Sequence, residues 1–374
     1  MTAEDARHMA HALTLGRRGQ GAVWPNPAVG CVIVAQGRVV GRGWTQPGGR
    51  PHAERVALDQ AGPAASWATA YVTLEPCAHH GHTPPCADAL AAAGVTRVVT
   101  AMGDPDARVA GRGHARLRQA GVEVVEGVCE AVARRDHAGF LRRLAEGRPL
   151  VTLKLAASFD GRIATASGAS RWITGPDARR AVHAMRLTHD AIMVGGGTVR
   201  ADDPVLTVRG MGQAPRLRVV LSQRLDLPTE GRFAASVADA PLWLLHGPDA
   251  PNDRKARWTE AGARCVEVPL ADGILDVKAA LEHLGQAGLT RVFCEGGGVL
   301  AASLLRARLV DRLLGFTAGL ALGSDGTPAI GPLGLDTLAG APRFALHAAR
   351  SIGGDVLHEW DRLDDGNLTD RLRR

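Results

Sequence analysis

The chain has 374 residues, 45% of them hydrophobic and only 4% aromatic, with a net charge of +6 at pH 7 and a pI of about 9.4. That length suits two domains of ordinary size, and no apolar stretch approaches the ~20 residues of a membrane span. The basic balance argues weakly for nucleic acid, because the arginines are spread and one Tyr and six Phe leave few base-stacking platforms; an acidic, phosphorylated small molecule accounts for the same arginines.

The opening Met1-Thr2-Ala3-Glu4-Asp5-Ala6-Arg7-His8 has no apolar run behind a basic patch, so no signal peptide is expected and the cytoplasm is the expected location. Residues 4–18 read as a helix, with Ala6, Met9, Ala10 and Leu13 at helical spacing. Val29 to Ala35 and Val39 to Trp44 read as strands split by the hairpin signal Gln36-Gly37. A helix over 52–61 beginning at His52, a buried strand from Ala70 to Leu74, a helix from Cys86 to Ala93 ended by Gly94, and a strand from Val95 to Ala101 follow. This alternation predicts a layered α/β domain. A helix from Glu130 to Glu146 closes it, and Gly147-Arg148-Pro149 punctuates the chain. The expected division is therefore 1–147 and 148–374. A second α/β pattern starts at Leu150–Leu155 and continues with strands Ala191–Val194, Leu217–Leu221, Leu242–Leu245, Arg264–Val268 and Arg291–Glu295. The polar tail from Asp361 reads as loose.

The first domain carries His52-Ala53-Glu54, then Pro76-Cys77 and Cys86. Of the six scattered cysteines these two alone stand in metal-type context, as expected in a reducing compartment. One His and two Cys suit zinc and leave a position open for water. Both His52 and Cys86 fall at predicted helix starts, where the helix dipole favours a thiolate. H-x-E followed by P-C-x-x-C is the signature of zinc-dependent base deaminases, in which Glu is the acid/base and not a ligand. Here eight residues separate the cysteines, and His79, His80 and His82 lie among them. A structural zinc site would need one of those histidines as its fourth ligand. Such a site has no use for Glu54 beside His52, which favours catalysis.

In the second domain two glycine-rich turns follow predicted strands: Val194-Gly195-Gly196-Gly197-Thr198 and Glu295-Gly296-Gly297-Gly298. Glycine lets backbone N–H groups approach phosphate, and a helix start adds a favourable dipole. Neither turn is the G-x-G-x-x-G fingerprint, and glycine turns by themselves are more often plain tight turns. Arg186 and Arg209 add guanidinium forks suited to phosphate.

Three motifs of the first half, Asn26-Pro27-Ala28-Val29-Gly30-Cys31, Pro51-His52-Ala53-Glu54 and Leu74 through Cys86, resemble the bacterial bifunctional riboflavin-biosynthesis deaminase–reductase. So do Lys154 to Gly161, Ser170-Arg171-Trp172-Ile173-Thr174-Gly175, Thr198, Ala201-Asp202-Asp203-Pro204 and Leu206-Thr207-Val208-Arg209. The long loop between the cysteines is that family's own version, and the resemblance runs from about residue 4 to about 335. It implies a cytidine-deaminase-like three-layer domain followed by a dihydrofolate-reductase-like domain, with Zn2+ and NADPH as cofactors. The implied reactions are hydrolysis of the exocyclic amine of a diamino-pyrimidinone bearing a ribosylamino 5′-phosphate, then reduction of the ribosyl chain to ribityl. His52, Cys77 and Cys86 are the expected metal ligands, Glu54 the proton shuttle and Asn26 a ligand for the pyrimidine edge, although Asn26 also suits a turn before Pro27. Family matching assigns Ala156, Trp172, Thr198, Asp202, Ser222 and the turn Gly297, Gly298, Val299, Leu300, Ala301, Ala302, Ser303 to the cofactor. It assigns Ser170, Arg186, Leu206, Arg209 and Glu295 to the phosphorylated substrate. Lys154, grouped here with the substrate contacts, and Asp202 are candidates for orienting the reaction or donating a proton. A homo-oligomer is expected, with neither nucleic acid nor membrane as partner.

The chain departs from the family pattern at Thr45, where a histidine is common, at Asp106-Ala107, where Asn-Pro is common, and at Arg55, where an aliphatic is usual. Two rival readings differ in outcome. A deaminase of another free or tRNA base with an inactive second domain would release ammonia without using NADPH. A zinc-stabilised nucleic-acid module would be indifferent to Glu54→Gln.

Overall fold

The computed structural model describes residues 2–78, 84–106, 110–208, 210–211 and 216–363. The chain forms two compact units. One comprises the residues up to Arg148 together with Gly288–Thr290; the other comprises Pro149–Ala287 and the residues from Arg291 on.

The first unit contains α1 (Ala3–Gly16), β1 (Gly30–Ala35), β2 (Arg38–Trp44), α2 (Ala53–Ala61), β3 (Thr69–Val72), α3 (Cys86–Ala92), β4 (Arg97–Thr100), α4 (Arg112–Gln119), β5 (Glu123–Val125), α5 (Glu130–Asp136) and α6 (Ala138–Glu146). Its five-stranded sheet has the order β2-β1-β3-β4-β5. β1 is antiparallel to both its neighbours, and β3, β4 and β5 are parallel. Gln36 and Gly37 both have positive φ, the geometry of a tight hairpin whose twist matches its strands.

Small residues seat α2. Ala53, Ala57 and Ala61 recur every four positions on its buried face, and β2 meets them with glycines. A Cβ on Gly43 would lie 2.0 Å from the Ala53 carbonyl oxygen, and one on Gly41 2.2 Å from that of Ala57. The helix backbone therefore rests directly on the strand backbone, which fixes the depth at which the helix start projects.

The single helix expected over 130–146 is two, α5 and α6. The break is at His137, which leaves helical geometry (φ −89°, ψ 2°) and turns a buried ring toward Thr73 at 3.3 Å. A long-range polar contact here overrides a continuous helical pattern.

The second unit contains β6 (Leu150–Ser158), β7 (Arg162–Ala164), α7 (Pro176–Leu187), β8 (Ala191–Gly195), α8 (Gly196–Asp202), β9 (Leu217–Leu221), α9 (Arg232–Ala235), β10 (Leu242–His246), α10 (Asn252–Glu260), β11 (Arg264–Glu267), β12 (Leu270–Ala271), β13 (Ile274–Leu275), α11 (Val277–Gln286), β14 (Arg291–Cys294), α12 (Gly298–Arg306), β15 (Arg312–Ala318), β16 (Thr327–Pro328), β17 (Phe344–Ile352) and β18 (Asp355–Arg362). The main sheet has nine strands in the order β11-β10-β9-β8-β14-β6-β15-β18-β17. The first seven are parallel; β18 and β17 add antiparallel to one edge. Val219, Val220, Val292 and Phe293 in the central strands are fully buried, as a parallel sheet covered on both faces requires. β17 and β18 carry many exposed and half-buried positions, so they lack the apolar run that betrays the central strands. Asp361, placed in the loose tail by sequence, instead pairs with Arg312 in the β15–β18 ladder.

Candidate active sites

In the first unit the ends of α2 and α3 converge. His52 is the N-cap of α2 and Cys86 opens α3, while Cys77 follows the strand β3 by a short stretch. The His52 Nδ1 lies 3.3 Å from Cys86 Sγ and 3.8 Å from Cys77 Sγ. All three ligand atoms fall within 4.8 Å of one another, and they are the one such group found among the described residues. Tetrahedral zinc with Zn–N of about 2.05 Å and Zn–S of about 2.3 Å holds N and S about 3.6 Å apart. The donor set and its spacing fit that ion. The Cys86 amide also donates to Cys77 Sγ at 3.3 Å. Hydrogen bonds from the Cys86 thiol and from His52 hold the Cys77 thiol down to about 4, while Cys86 is pushed up.

Glu54 is buried in the first turn of α2. Burial pushes its carboxyl up, and it interacts with His52, Cys77 and Cys86. The side chain of Asn26 packs against Gly49 in the segment entering α2; a Cβ there would meet Asn26 Nδ2 at 1.7 Å. Thr45 is buried, accepts from the Val29 amide at 3.0 Å and donates to the Pro27 carbonyl at 3.1 Å, so it holds the Asn26-Pro27 segment. Arg55 makes an exposed pair with Asp59. His79, His80, His82 and Ala107 lie outside the described residues.

Sequence reasoning passed over two residues beside this site. Glu75 is buried and accepts four backbone N–H groups: Asp104 and Gly111 on one oxygen, Gly113 and His114 on the other, at 2.8–3.2 Å. Arg116, in α4, donates to the Ala78 carbonyl and pairs with Asp88, both at 2.7 Å. A charged residue ending an apolar strand run was the available signal for Glu75, since a buried carboxylate must find partners; nothing local marks Arg116.

In the second unit the candidate residues gather at the carboxyl ends of β6, β8, β9 and β14, where open α/β sheets bind ligands. Arg186, in the last turn of α7, donates two bonds to Glu295, at 2.6 and 3.1 Å, and a third to the Thr207 carbonyl at 2.7 Å. Burial would push the Glu295 carboxyl up, but Arg186, with Lys154 and His183, offsets it and the net shift is downward. Burial pushes the Lys154 ammonium down, opposed by Glu295 and Asp202. Lys154, Arg186, Asp202 and Glu295 thus form one electrostatic cluster. Thr198 Oγ1 accepts from the Gly297 amide at 3.1 Å and ties the two glycine turns together. Ser222 is buried and donates to Asp226 at 3.0 Å. Trp172 is 68% exposed, with Arg179 stacked 4.5 Å over its ring. Ser170 and Ala156 are half-buried.

The Gly297–Ser303 stretch, expected as a turn, is the N-cap and first turns of α12, and its residues divide. Val299 is 81% exposed, but the side chains of Leu300, Ala301 and Ala302 are buried, and the Ala301 amide already bonds to the Gly297 carbonyl at 3.1 Å. Ser303 is turned back on its own helix, donating to the Val299 carbonyl at 3.1 Å. Gly298 is crossed by residues 328–331: its Cβ would meet the Pro328 oxygen at 2.8 Å, so close chain packing accounts for that glycine. Leu206 is buried with φ +58°. Arg209 lies outside the described residues. The segment carrying Asp202 and Leu206 is held through its backbone by residues the sequence did not single out: Arg171 and Arg232 donate to the Asp202 carbonyl, and the wholly buried Arg218 to that of Val205.

The first unit thus presents a zinc-type site on a layered α/β scaffold, and the second a polar cluster at the strand ends of a parallel sheet. Residues 2–102 match the cytidine and deoxycytidylate deaminase zinc-binding region, and residues 149–358 match the RibD C-terminal domain. The riboflavin biosynthesis protein RibD of Escherichia coli is 43% identical over 364 residues, covering 94% of this chain and 98% of its own. That of Aquifex aeolicus is 36% identical, covering 94% and 97%. The solved structure of Acinetobacter baumannii RibD superposes with a TM-score of 0.86 at 36% identity over 96% of this chain and 99% of its own. A deaminase/reductase from Thermotoga maritima gives 0.84 at 31% identity, with the same coverage. The chain belongs to the RibD family: it is a bifunctional deaminase and reductase of riboflavin biosynthesis, with a cytidine-deaminase-like first domain and a RibD-type reductase domain after it. Zinc and a nicotinamide cofactor are what these two domains imply, and a deaminase with an inactive second half is not favoured. Among the described residues no helix is long and apolar enough to cross a membrane.

Proposed function

We propose that the enzyme deaminates 2,5-diamino-6-(5-phosphoribosylamino)pyrimidin-4-one and then reduces the ribosyl chain of the product to ribityl 5-phosphate with NADPH. The observation that carries the reading is the 3.3 and 3.8 Å spacing of His52 from the two cysteines, with buried Glu54 beside them. Zinc held by His52, Cys77 and Cys86 would supply Lewis acidity toward water near neutral pH. Glu54 takes the proton of the attacking water and returns it to the departing amine. Asn26, an amide that both donates and accepts, faces the pyrimidine edge.

In the second domain NADPH supplies hydride, and the chain's work is binding and orientation. Ala156, Trp172, Thr198, Asp202, Ser222 and the Gly297–Ser303 stretch hold the cofactor. Ser170, Leu206, Arg209 and the Arg186–Glu295 pair hold the substrate, with Lys154 and Asp202 orienting the reacting end. The division of labour follows 1–147 and 148–374, and the enzyme works in the cytoplasm as a homo-oligomer.

Mass spectrometry of the product formed from the diamino-pyrimidinone substrate tests the whole reading. Exchange of amine for oxygen alone, then a gain of two hydrogens with NADPH and much less with NADH, is expected. Exchange without the later gain contradicts the reductase assignment; no change in a zinc-loaded sample contradicts the substrate.

A further inference from the structure

In a deaminase signature with two residues between its cysteines, a tight turn fixes the distance between the two sulfurs. Eight residues intervene here, and the ends of the interval are tied directly by the Cys86 amide on Cys77 Sγ at 3.3 Å and the Ala87 amide on the Cys77 carbonyl at 3.2 Å; a third tie comes from outside it. The two sides of the interval are met by one side chain from outside it. Arg116 donates through Nη1 to the carbonyl of Ala78, directly after Cys77, and pairs through Nε with Asp88, two residues into the helix that Cys86 opens. The guanidinium is planar, so the two 2.7 Å contacts share one rigid fork. Arg116 is itself placed from the Cys77 side. Glu75 captures the Gly113 and His114 amides at the start of α4, and Gly113 presses so close to Pro76 that a Cβ would lie 1.9 Å from the Pro76 oxygen. The path from Glu75 through α4 to Arg116, and back to Ala78 and Asp88, is closed.

We propose that Arg116 and Asp88 act as an external brace that fixes Cys77 relative to Cys86 and slows loss of the metal. The proposal rests on the zinc reading above. A partly exposed ion pair adds little to stability by itself. The effect here is on ligand geometry, where outer partners typically change metal affinity 10–100-fold.

The test is the first-order release of zinc from the loaded full-length protein into excess chromogenic chelator. Arg116→Met and Asp88→Asn should each release zinc about tenfold faster, and the double variant no faster than the quicker single. Arg118→Met, two residues further along α4 and paired with Glu126, should release it at the unmodified rate. Release from Arg116→Met within twofold of the unmodified protein, or effects of the two substitutions that multiply, would overturn the brace. If the unmodified protein takes up no zinc, the zinc reading itself falls; if it takes up zinc and Arg116→Met behaves normally, only the brace does.

Discussion

Glu54 is buried and interacts electrostatically with all three metal-ligand candidates, and burial pushes its carboxyl up. Glu54→Gln keeps the size and removes the capacity to take and return a proton. Ammonia release should fall about 10²–10⁴-fold with zinc content unchanged; an active Glu54→Gln protein would exclude the proposed shuttle. His189 shows the opposite use of burial. Its Nδ1 faces the Met185 carbonyl at 2.8 Å, which can only accept, so Nδ1 carries a proton; burial disfavours a second one, which leaves Nε2 to accept from Thr152 at 2.9 Å. Burial holds it down to about 3. An unfolded histidine takes a proton below about 6.5 and the folded one does not, so its contribution is whole above that pH. Stability of the second domain should decline by about 1.4 kcal/mol per pH unit between about 6.5 and 3 from this residue. His189→Asn should flatten that slope in denaturant titrations; an unchanged slope would contradict the neutral-ring assignment.

At the scale of elements, α2 is placed by what is missing from β2. Gly43→Ala would drive a methyl into the Ala53 carbonyl and the Ala57 amide, both backbone atoms, so the helix must lift. The expected cost is about 2 kcal/mol, and since His52 and Glu54 ride on that helix, zinc retention and ammonia release should fall together; normal zinc binding at an unchanged unfolding midpoint would refute this account of the packing. The metal-ligand candidates were legible in the sequence, because zinc chemistry restricts the residue types; the small-residue spacing of α2 and the pair Gly41-x-Gly43 were not read as packing, since which strand meets the helix is set by the fold. Glu75 and Arg116 were not legible either, since their partners lie about thirty to forty residues away along the chain. The same holds for β17 and β18, whose half-exposed faces blur alternation. Leu300, Ala301 and Ala302 illustrate the converse: a motif locates a segment, but the direction of each side chain is decided by the core beneath it.

For the molecule as a whole, the metal-ligand candidates and Glu54 lie in the first unit and the proposed reductase residues in the second. Chelating the zinc should therefore abolish ammonia release while NADPH oxidation on the deaminated substrate persists. Asp202→Ala should do the reverse, slowing NADPH oxidation and sparing ammonia release. Equal loss of both activities in either experiment would contradict separate sites.

The brace across the two cysteines also bears on how this chain can change over evolutionary time. A turn of two residues cannot lengthen without moving its ends. An interval clamped from a neighbouring helix has handed that duty over, and doubling its length costs only about 0.6 kcal/mol of closure entropy. On this proposal the length of the interval between Ala78 and Cys86 is uncoupled from the position of the two sulfurs, so a change in its length would leave the metal centre where it is.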